Sequence, residues 1–240
     1  MTIAVDGGAV ARAWLAVYQA SGKNADMPQL CRTLHLQQYP HGLRLVATDT
    51  FMLLSCWVPE SGDLLAVEPG LDEVPYASAT VVDGHGRAMS LMGYLRAVTS
   101  GDDAEKVEVR VRLNVPWQPE DTKSGDLQID GFEALAVTVE IPDRERLQLE
   151  VYEGAWVPWQ KILLRVKGVE GTQAVSVSAV LAVRLGRAAK AVDAAVMRLW
   201  FTGDSLPILV ELPGATETVT GVVMPSRWNL DANAPYGEVG

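Results

Sequence analysis

The sequence predicts an α+β fold built from repeated βαβββ units. Two stretches begin alike, because VDGG at 5–8 and VDGHG at 82–86 each lead from a strand-like segment into a helical one. A third run of strand, helix and strands extends from 175 towards the end of the chain. Recurrence of one strand-and-helix pattern indicates a pseudo-repeated architecture.

The first unit is predicted from its apolar spacing. A strand at 2–5 is followed by a helix at 8–21, in which Val10, Trp14, Val17 and Tyr18 share one side. Gly22 is a typical residue to end that helix. Alternating apolar residues then predict three strands, at 30–37, 43–48 and 52–58.

The second and third units follow the same order. The second has a predicted strand at 77–82, a helix at 86–98, and strands at 107–113, 127–129 and 135–141. The third has a predicted strand at 175–183, a helix at 184–195, and strands at 197–201, 207–212 and 219–224. Between them, 147–152 alternates as a strand does, whereas 156–166 fits either a strand or a short helix begun by Pro158.

Composition and charge exclude several classes of protein. With 48% hydrophobic and 21% charged residues among 240, the chain can bury a core. It has no apolar run near the roughly 20 residues that span a bilayer, and its start does not resemble a secretory signal. Its two cysteines, Cys31 and Cys56, predict no disulfide framework, so we expect a cytoplasmic protein. The net charge of −10 describes the average field and leaves room for a local basic surface.

Two motifs resemble one family. The segment GLRLVATDTFML at 42–53 is similar to the motif L-x-x-x-A-T-D-G-x-R-L of bacterial β-type sliding clamps, and GVVMPSR at 221–227 is similar to the closing V-M-P-x-R of that family. The stretch 171–183 and the helix after it resemble the second half of the last clamp domain. The likeness is strongest over 28–58 and 173–227.

The chain departs from the family in three ways. A bacterial β clamp has three domains, whereas this length suits about two, as in the two-domain clamps of archaea, eukaryotes and some phages, which form trimers. We therefore expect a first clamp domain at 1–141, a second at 142–228 and a tail at 229–240. Thr50 and Met52 replace the Gly and Arg of the motif, and the tail extends beyond the usual end.

The resemblance implies a ring with sheets outside and helices lining a central hole. Such a ring encircles double-stranded DNA without reading its sequence, and acts as a processivity factor that tethers a polymerase. Basic side chains on the lining helices would contact phosphates and leave the bases unread. The candidates are Arg12, Lys23, Arg87, Arg96, Arg184, Arg187 and Lys190. The alternative is that these residues are ordinary solvated helix surface.

The resemblance also implies a groove that binds a short apolar peptide of the polymerase or clamp loader. The matching positions are Thr48, Thr50, Phe51, Met52 and Leu53 on one side, and Pro142, Val222, Val223, Met224 and Pro225 on the other. Methionine suits such a groove because its flexible thioether adapts to several ligands. The alternative is that Met52, Leu53, Val222 and Val223 fill the core.

The sequence offers little that suggests catalysis. His35, His41 and His85 share no metal-ligand spacing, and no nucleotide-binding or nucleophile motif stands in a suitable context. We expect no cofactor and no metal. The alternative to a clamp is a non-enzymatic, β-rich, oligomeric structural or interaction protein that does not encircle DNA.

Overall fold

The computed structural model describes residues 2–22, 28–63, 67–82, 93, 95, 107–114, 132–142, 146–166, 177–201 and 206–225. Within these ranges the helices are α1 (Gly7–Val17), α2 (Trp159–Val166) and α3 (Ala179–Ala191). The strands are β1 (Thr2–Asp6), β2 (Thr33–Tyr39), β3 (Gly42–Thr48), β4 (Met52–Pro59), β5 (Ala77–Val82), β6 (Glu108–Asn114), β7 (Phe132–Glu133), β8 (Ala136–Glu140), β9 (Leu147–Leu149), β10 (Arg198–Trp200), β11 (Ile208–Pro213) and β12 (Thr218–Val223).

The strands form two sheets. One has the order β1-β6-β8-β9, and the other has the order β10-β11-β12-β4-β3-β2-β5-β7. Most strands coincide with the alternating segments of the sequence, as at β6, where Val109, Val111 and Leu113 are buried and Arg110 and Arg112 are exposed. The predicted α+β class is therefore confirmed.

The first two units exchange their leading strands. β1 of the first unit pairs antiparallel with β6 of the second, and β5 of the second pairs antiparallel with β2 of the first. Their apolar faces share one core, in which Val10 of α1 lies with Leu36 of one sheet and Val111 of the other. Each unit therefore completes the sheet of its neighbour.

The third unit joins the first through β12, which pairs antiparallel with β4 from Val219↔Cys56 to Val223↔Met52. Gly221 permits this close approach, because a Cβ there would overlap the carbonyl oxygen of Leu53. One eight-stranded sheet thus contains strands from both sides of the predicted boundary at 141/142, and that boundary stays a prediction.

Helices α1 and α3 pack against each other on one face of this sheet. Asp6, just before α1, caps the helix, because its Oδ1 accepts a hydrogen bond from the Ala9 amide at 2.6 Å. α3 buries Leu181, Leu185 and Ala188 in the core that Val210 and Leu212 of β11 also enter.

Helix α2 covers the opposite face of the sheet and resolves the ambiguity at 156–166 in favour of a helix. Trp159 and Leu163, one turn apart, pack with Val46, Leu53 and Val222 in a second apolar cluster. The guanidinium carbon of buried Arg44 lies 5.3 Å from the centroid of the Trp159 ring, which also holds the helix on the sheet.

The predicted strand at 175–183 is wrong over its described part, because α3 begins at Ala179 and ends at Ala191 rather than spanning 184–195. Val180 and Val183 suggested a strand, yet both are exposed on a helix whose buried residues recur at helical spacing. The predicted strand at 127–129 and the tail lie outside the described residues. In the predicted helix at 86–98, Gly93 and Leu95 are helical. No helix within the described ranges is long and apolar enough to cross a membrane.

Candidate partner-binding groove

The turn between β3 and β4 is held by its own polar side chains. Oδ1 of Asp49 accepts hydrogen bonds from the amides of Phe51 (3.1 Å) and Met52 (2.9 Å). The Thr48 hydroxyl donates to the Met52 carbonyl at 2.9 Å and accepts from the Thr50 amide at 3.2 Å. These bonds turn Phe51 outward, where its side chain is 57% exposed, and leave Met52 buried.

Arg184 of α3 links this turn to the end of α1. Its Nη1 donates to Oδ2 of Asp49 at 2.5 Å, and its Nε donates to the carbonyl oxygen of Gln19 at 2.5 Å. Both side chains are largely buried, so the pair is shielded from water and from salt. The ion pair thereby positions the amino-terminal half of α3 beside the turn.

β12 ends at the same place. The Met224 amide, just beyond β12, donates to the Phe51 carbonyl at 2.7 Å, which extends the pairing of β12 with β4 by one bond. Met224 is 37% exposed, and its side chain lines the same cavities as that of Phe51. Two apolar side chains are thus presented to solvent at one junction.

Two adjoining cavities lie on either side of this pair. One has a volume of about 270 Å³ and is lined mainly by apolar side chains: Leu30, Cys31, Thr48, Thr50, Phe51, Met52, Leu53, Val157, Ile162, Val222 and Met224. The other has a volume of about 680 Å³ and is lined by Thr50, Phe51, Ser178, Val180, Leu181, Arg184, Met224 and Pro225. Thr50, Phe51 and Met224 belong to both, so the cavities form one two-part groove, which we call the 51/224 groove.

Among solved structures, the chain is similar to DNA polymerase III subunit beta from Pseudomonas aeruginosa, with a TM-score of 0.55 and 10% identity over 95% of this chain and 66% of that chain. It is also similar to the beta sliding clamp of C. crescentus, with a TM-score of 0.55 and 14% identity over 95% of this chain and 66% of that chain. The chain has the sliding-clamp fold. It spans 66% of the length of these clamps. No family model matches its sequence, and no curated protein does.

Most of the predicted groove residues come together in this clamp fold. Thr48, Thr50, Phe51, Met52, Leu53, Val222, Met224 and Pro225 line the 51/224 groove. Val223 does not, because alternation along β12 turns its side chain to the main core. Pro142 is exposed after β8 in the other sheet and lines neither cavity.

Sequence reasoning missed the walls of the groove. Leu30 and Cys31 come from the 3₁₀ turn ahead of β2. Val157 comes from the segment just before α2, and Ile162 comes from α2 itself. Pro158, read as a helix start, was the available signal for the second pair. Nothing in the sequence placed that helix beside β4.

Of the basic residues predicted to contact DNA, two form internal ion pairs and two are exposed on α3. Arg12 forms an ion pair within the chain, since its Nη2 lies 2.8 Å from Oε1 of buried Glu217. The same nitrogen also donates to the Thr216 hydroxyl. Arg184 is likewise paired with Asp49. That these two arginines face a hole and contact phosphate stays a prediction. Arg187 and Lys190 are exposed on α3. Lys23, Arg87 and Arg96 lie outside the described residues.

Two titratable groups, Cys31 of the groove and His35 of β2, are kept neutral by burial. Burial, and then the negative charge of Asp49, raise the pKa of the Cys31 thiol, which makes it a weak nucleophile. Burial lowers the pKa of His35 to about 3; its ring stacks on Trp156 with centroids 4.9 Å apart. Within the described part of the chain, no group of three or more His, Cys, Asp or Glu could hold a metal ion. The lining of the groove suits apolar binding.

Proposed function

We propose that this chain is a DNA sliding clamp, a non-catalytic ring subunit that encircles duplex DNA and tethers a polymerase. The observation that carries the proposal is the 51/224 groove at the junction of β4 and β12, on the sliding-clamp fold. Its apolar floor and two exposed apolar side chains suit a short peptide with two apolar anchors, and such anchors usually supply most of the affinity of a peptide.

The groove is suited to recognition because its polar groups are already satisfied. The carboxylate of Asp49 is occupied by two amides and Arg184, and the Thr48 hydroxyl by Met52 and Thr50. A ligand therefore meets a preorganised surface, and ordering that surface costs little on binding. Partners of this class would be a DNA polymerase and a clamp loader.

Replacing Met224 with Asp tests this assignment. A carboxylate among Phe51, Thr50 and Pro225 would have to be desolvated when an apolar anchor binds. We expect the affinity for a clamp-binding peptide that carries Leu and Phe anchors to fall at least about tenfold, which is about 1.4 kcal/mol. Fluorescence anisotropy with the labelled peptide measures the change.

Leu135→Asp is the matched control, because it places the same charge on an exposed apolar residue that lines neither cavity. Equal affinity of Met224→Asp and the parent chain would refute the groove assignment. Peptide binding without any retention on DNA would favour an interaction protein that does not encircle DNA.

The length of the chain and its resemblance to the two-domain clamps predict a trimeric ring. This stays a prediction, which requires two complete clamp domains in each chain.

A further inference from the structure

Helix α2 carries one wall of the 51/224 groove. Val157, just before the helix, and Ile162 within it line the smaller cavity. Trp159 and Leu163 of the same helix pack on the sheet and line neither cavity. The opposite wall belongs to the β3–β4 turn, which its own polar side chains hold in place. The wall formed by Val157 and Ile162 therefore exists only while α2 lies on the sheet.

The sheet face beneath α2 carries polar side chains as well as apolar ones. His35 of β2 and Arg44 of β3 are both buried on this face. The ring of His35 stacks on Trp156, just before α2, and the guanidinium of Arg44 lies over the ring of Trp159. Both polar side chains would be hydrated if α2 left the sheet. Such groups favour the docked helix less than apolar side chains would.

Several polar atoms at this contact are buried without a hydrogen-bond partner among the described residues. They are Nε of Arg44, Oγ of Ser55 and the indole nitrogens of Trp57, Trp156 and Trp159. Ser55 lies opposite Val46, which packs with Trp159 and Leu163. A buried polar atom without a partner has lost its hydration, and it regains that hydration when it meets water. Docking of α2 is therefore favoured by its apolar side chains and opposed by these polar atoms.

Helix α2 depends on this contact for its structure. Helices shorter than about 12 residues are marginal on their own in water, and α2 has eight. Trp159 and Leu163 are buried against the sheet, whereas Leu164 on the outer side of the helix is 47% exposed. If α2 leaves the sheet, it should also lose its helical hydrogen bonds, which opens its amides to exchange with water.

We propose that α2 leaves the sheet and docks again as a unit, independently of the strands beneath it, and that a ligand in the 51/224 groove holds it docked. A ligand that contacts Val157 and Ile162 binds the docked state better, and so shifts the equilibrium towards it. By the same linkage, docking of α2 raises the affinity of the groove. The effect of the ligand rests on the proposed function, whereas the opening of α2 does not.

Hydrogen exchange of the full chain, followed by mass spectrometry, measures the opening without any ligand. We expect the amides of 159–166 to exchange faster than those of β4 and β12, because they open locally. Ser55→Ala replaces an unpartnered hydroxyl with a methyl group and should slow the exchange of 159–166 about 5- to 30-fold. Ser61→Ala, at an exposed serine of a turn, is its control and should leave this exchange unchanged.

Leu163→Ala tests the link between docking and the groove. It removes a buried contact of α2 without changing any side chain that lines either cavity, and should speed the exchange of 159–166 at least about tenfold. We expect the affinity for the labelled clamp-binding peptide to fall at least about fivefold. Leu164→Ala makes the same change at an exposed position of the same helix and should match the parent chain in both measurements. In the parent chain, saturating peptide should slow the exchange of 159–166.

The possible failures are distinguishable. Exchange of 159–166 as slow as that of β4 in the parent chain would overturn the opening of α2, whether or not a peptide binds. Equal affinity of Leu163→Ala and the parent chain for the peptide would overturn the coupling and leave the groove assignment intact. A peptide that fails to bind the parent chain would refute the proposed function and the effect of the ligand, while the exchange of Ser55→Ala would still decide whether α2 opens.

Discussion

Single residues around the groove show how burial decides chemical character. His35 donates to or accepts from Thr80 through Nδ1 at 3.0 Å and stacks on Trp156 in a fully buried site. Arg12 and Arg184, both read from the sequence as solvent-facing cations, instead neutralise Glu217 and Asp49. A charged residue in a helical segment therefore says little about where its charge acts until its partners are known.

His35 predicts a loss of stability in mild acid. Its pKa in the folded chain is about 3, below the usual value of 6.5, so the unfolded chain takes up a proton first as the pH falls. Above about pH 6.5 this ring has no effect on the pH dependence of stability. From there towards pH 3 the free energy of unfolding falls by up to about 1.4 kcal/mol per pH unit. His35→Phe should flatten this dependence between pH 5 and pH 6.5.

Urea unfolding at several pH values measures the slope. His41→Phe is the control, because the His41 side chain is 68% exposed and its change should leave the slope as in the parent chain. If His35→Phe and His41→Phe behave alike, the ring of His35 is not held neutral by its surroundings.

At the scale of elements, the β3–β4 turn has backbone strain at Thr50, which a glycine at that position, as in the clamp motif, would avoid. Thr50 has a φ of 76°, in the left-handed region where a β-branched residue is strained. Clamp motifs have glycine here, and this chain keeps the turn through the hydrogen bonds of Thr48 and Asp49. The turn is thus overdetermined by its polar side chains.

Thr50→Gly should raise the free energy of unfolding by up to about 1.6 kcal/mol. Removing the left-handed strain gains about 1–2 kcal/mol, and the added freedom of glycine in the unfolded chain returns about 0.4–1 kcal/mol. Chemical denaturation measures the difference. Asp193→Gly is the comparison, because Asp193 also has a positive φ of 51°, which Asp tolerates better than Thr; a larger gain there than at Thr50 would contradict this account.

At the scale of the whole molecule, DNA contact in the described part of the chain would fall to α3. Arg187 and Lys190 are exposed. They align with Leu15 and Tyr18 of α1, which are only partly buried even where the second unit covers that helix. Both basic residues are therefore accessible on the surface of α3.

The double variant Arg187→Glu with Lys190→Glu should weaken retention on duplex DNA equally for unrelated sequences. Each lost phosphate contact should reduce the slope of log affinity against log salt by about 0.9. Binding titrations at several salt concentrations measure this slope. Arg110→Glu with Arg146→Glu makes the same change of charge on exposed residues of the four-stranded sheet, and an equal effect of both pairs would show that only the net charge matters.

The sequence by itself determined the local elements and the two halves of the groove. Strands such as β6 and β11 could be predicted because alternation of burial is a local property, and the turn at 48–53 and the end of β12 carried recognisable motifs.

What only the tertiary structure decided was which elements meet. The placement of α2 against β4, the commitment of Arg12 to Glu217, the outward face of Val183 and the open edge of β10 all depend on residues more than a hundred positions apart or on the absence of a covering unit among the described residues. Periodicity reports that a side chain is apolar or charged, whereas its partner is set by how sheets and helices pack across the chain.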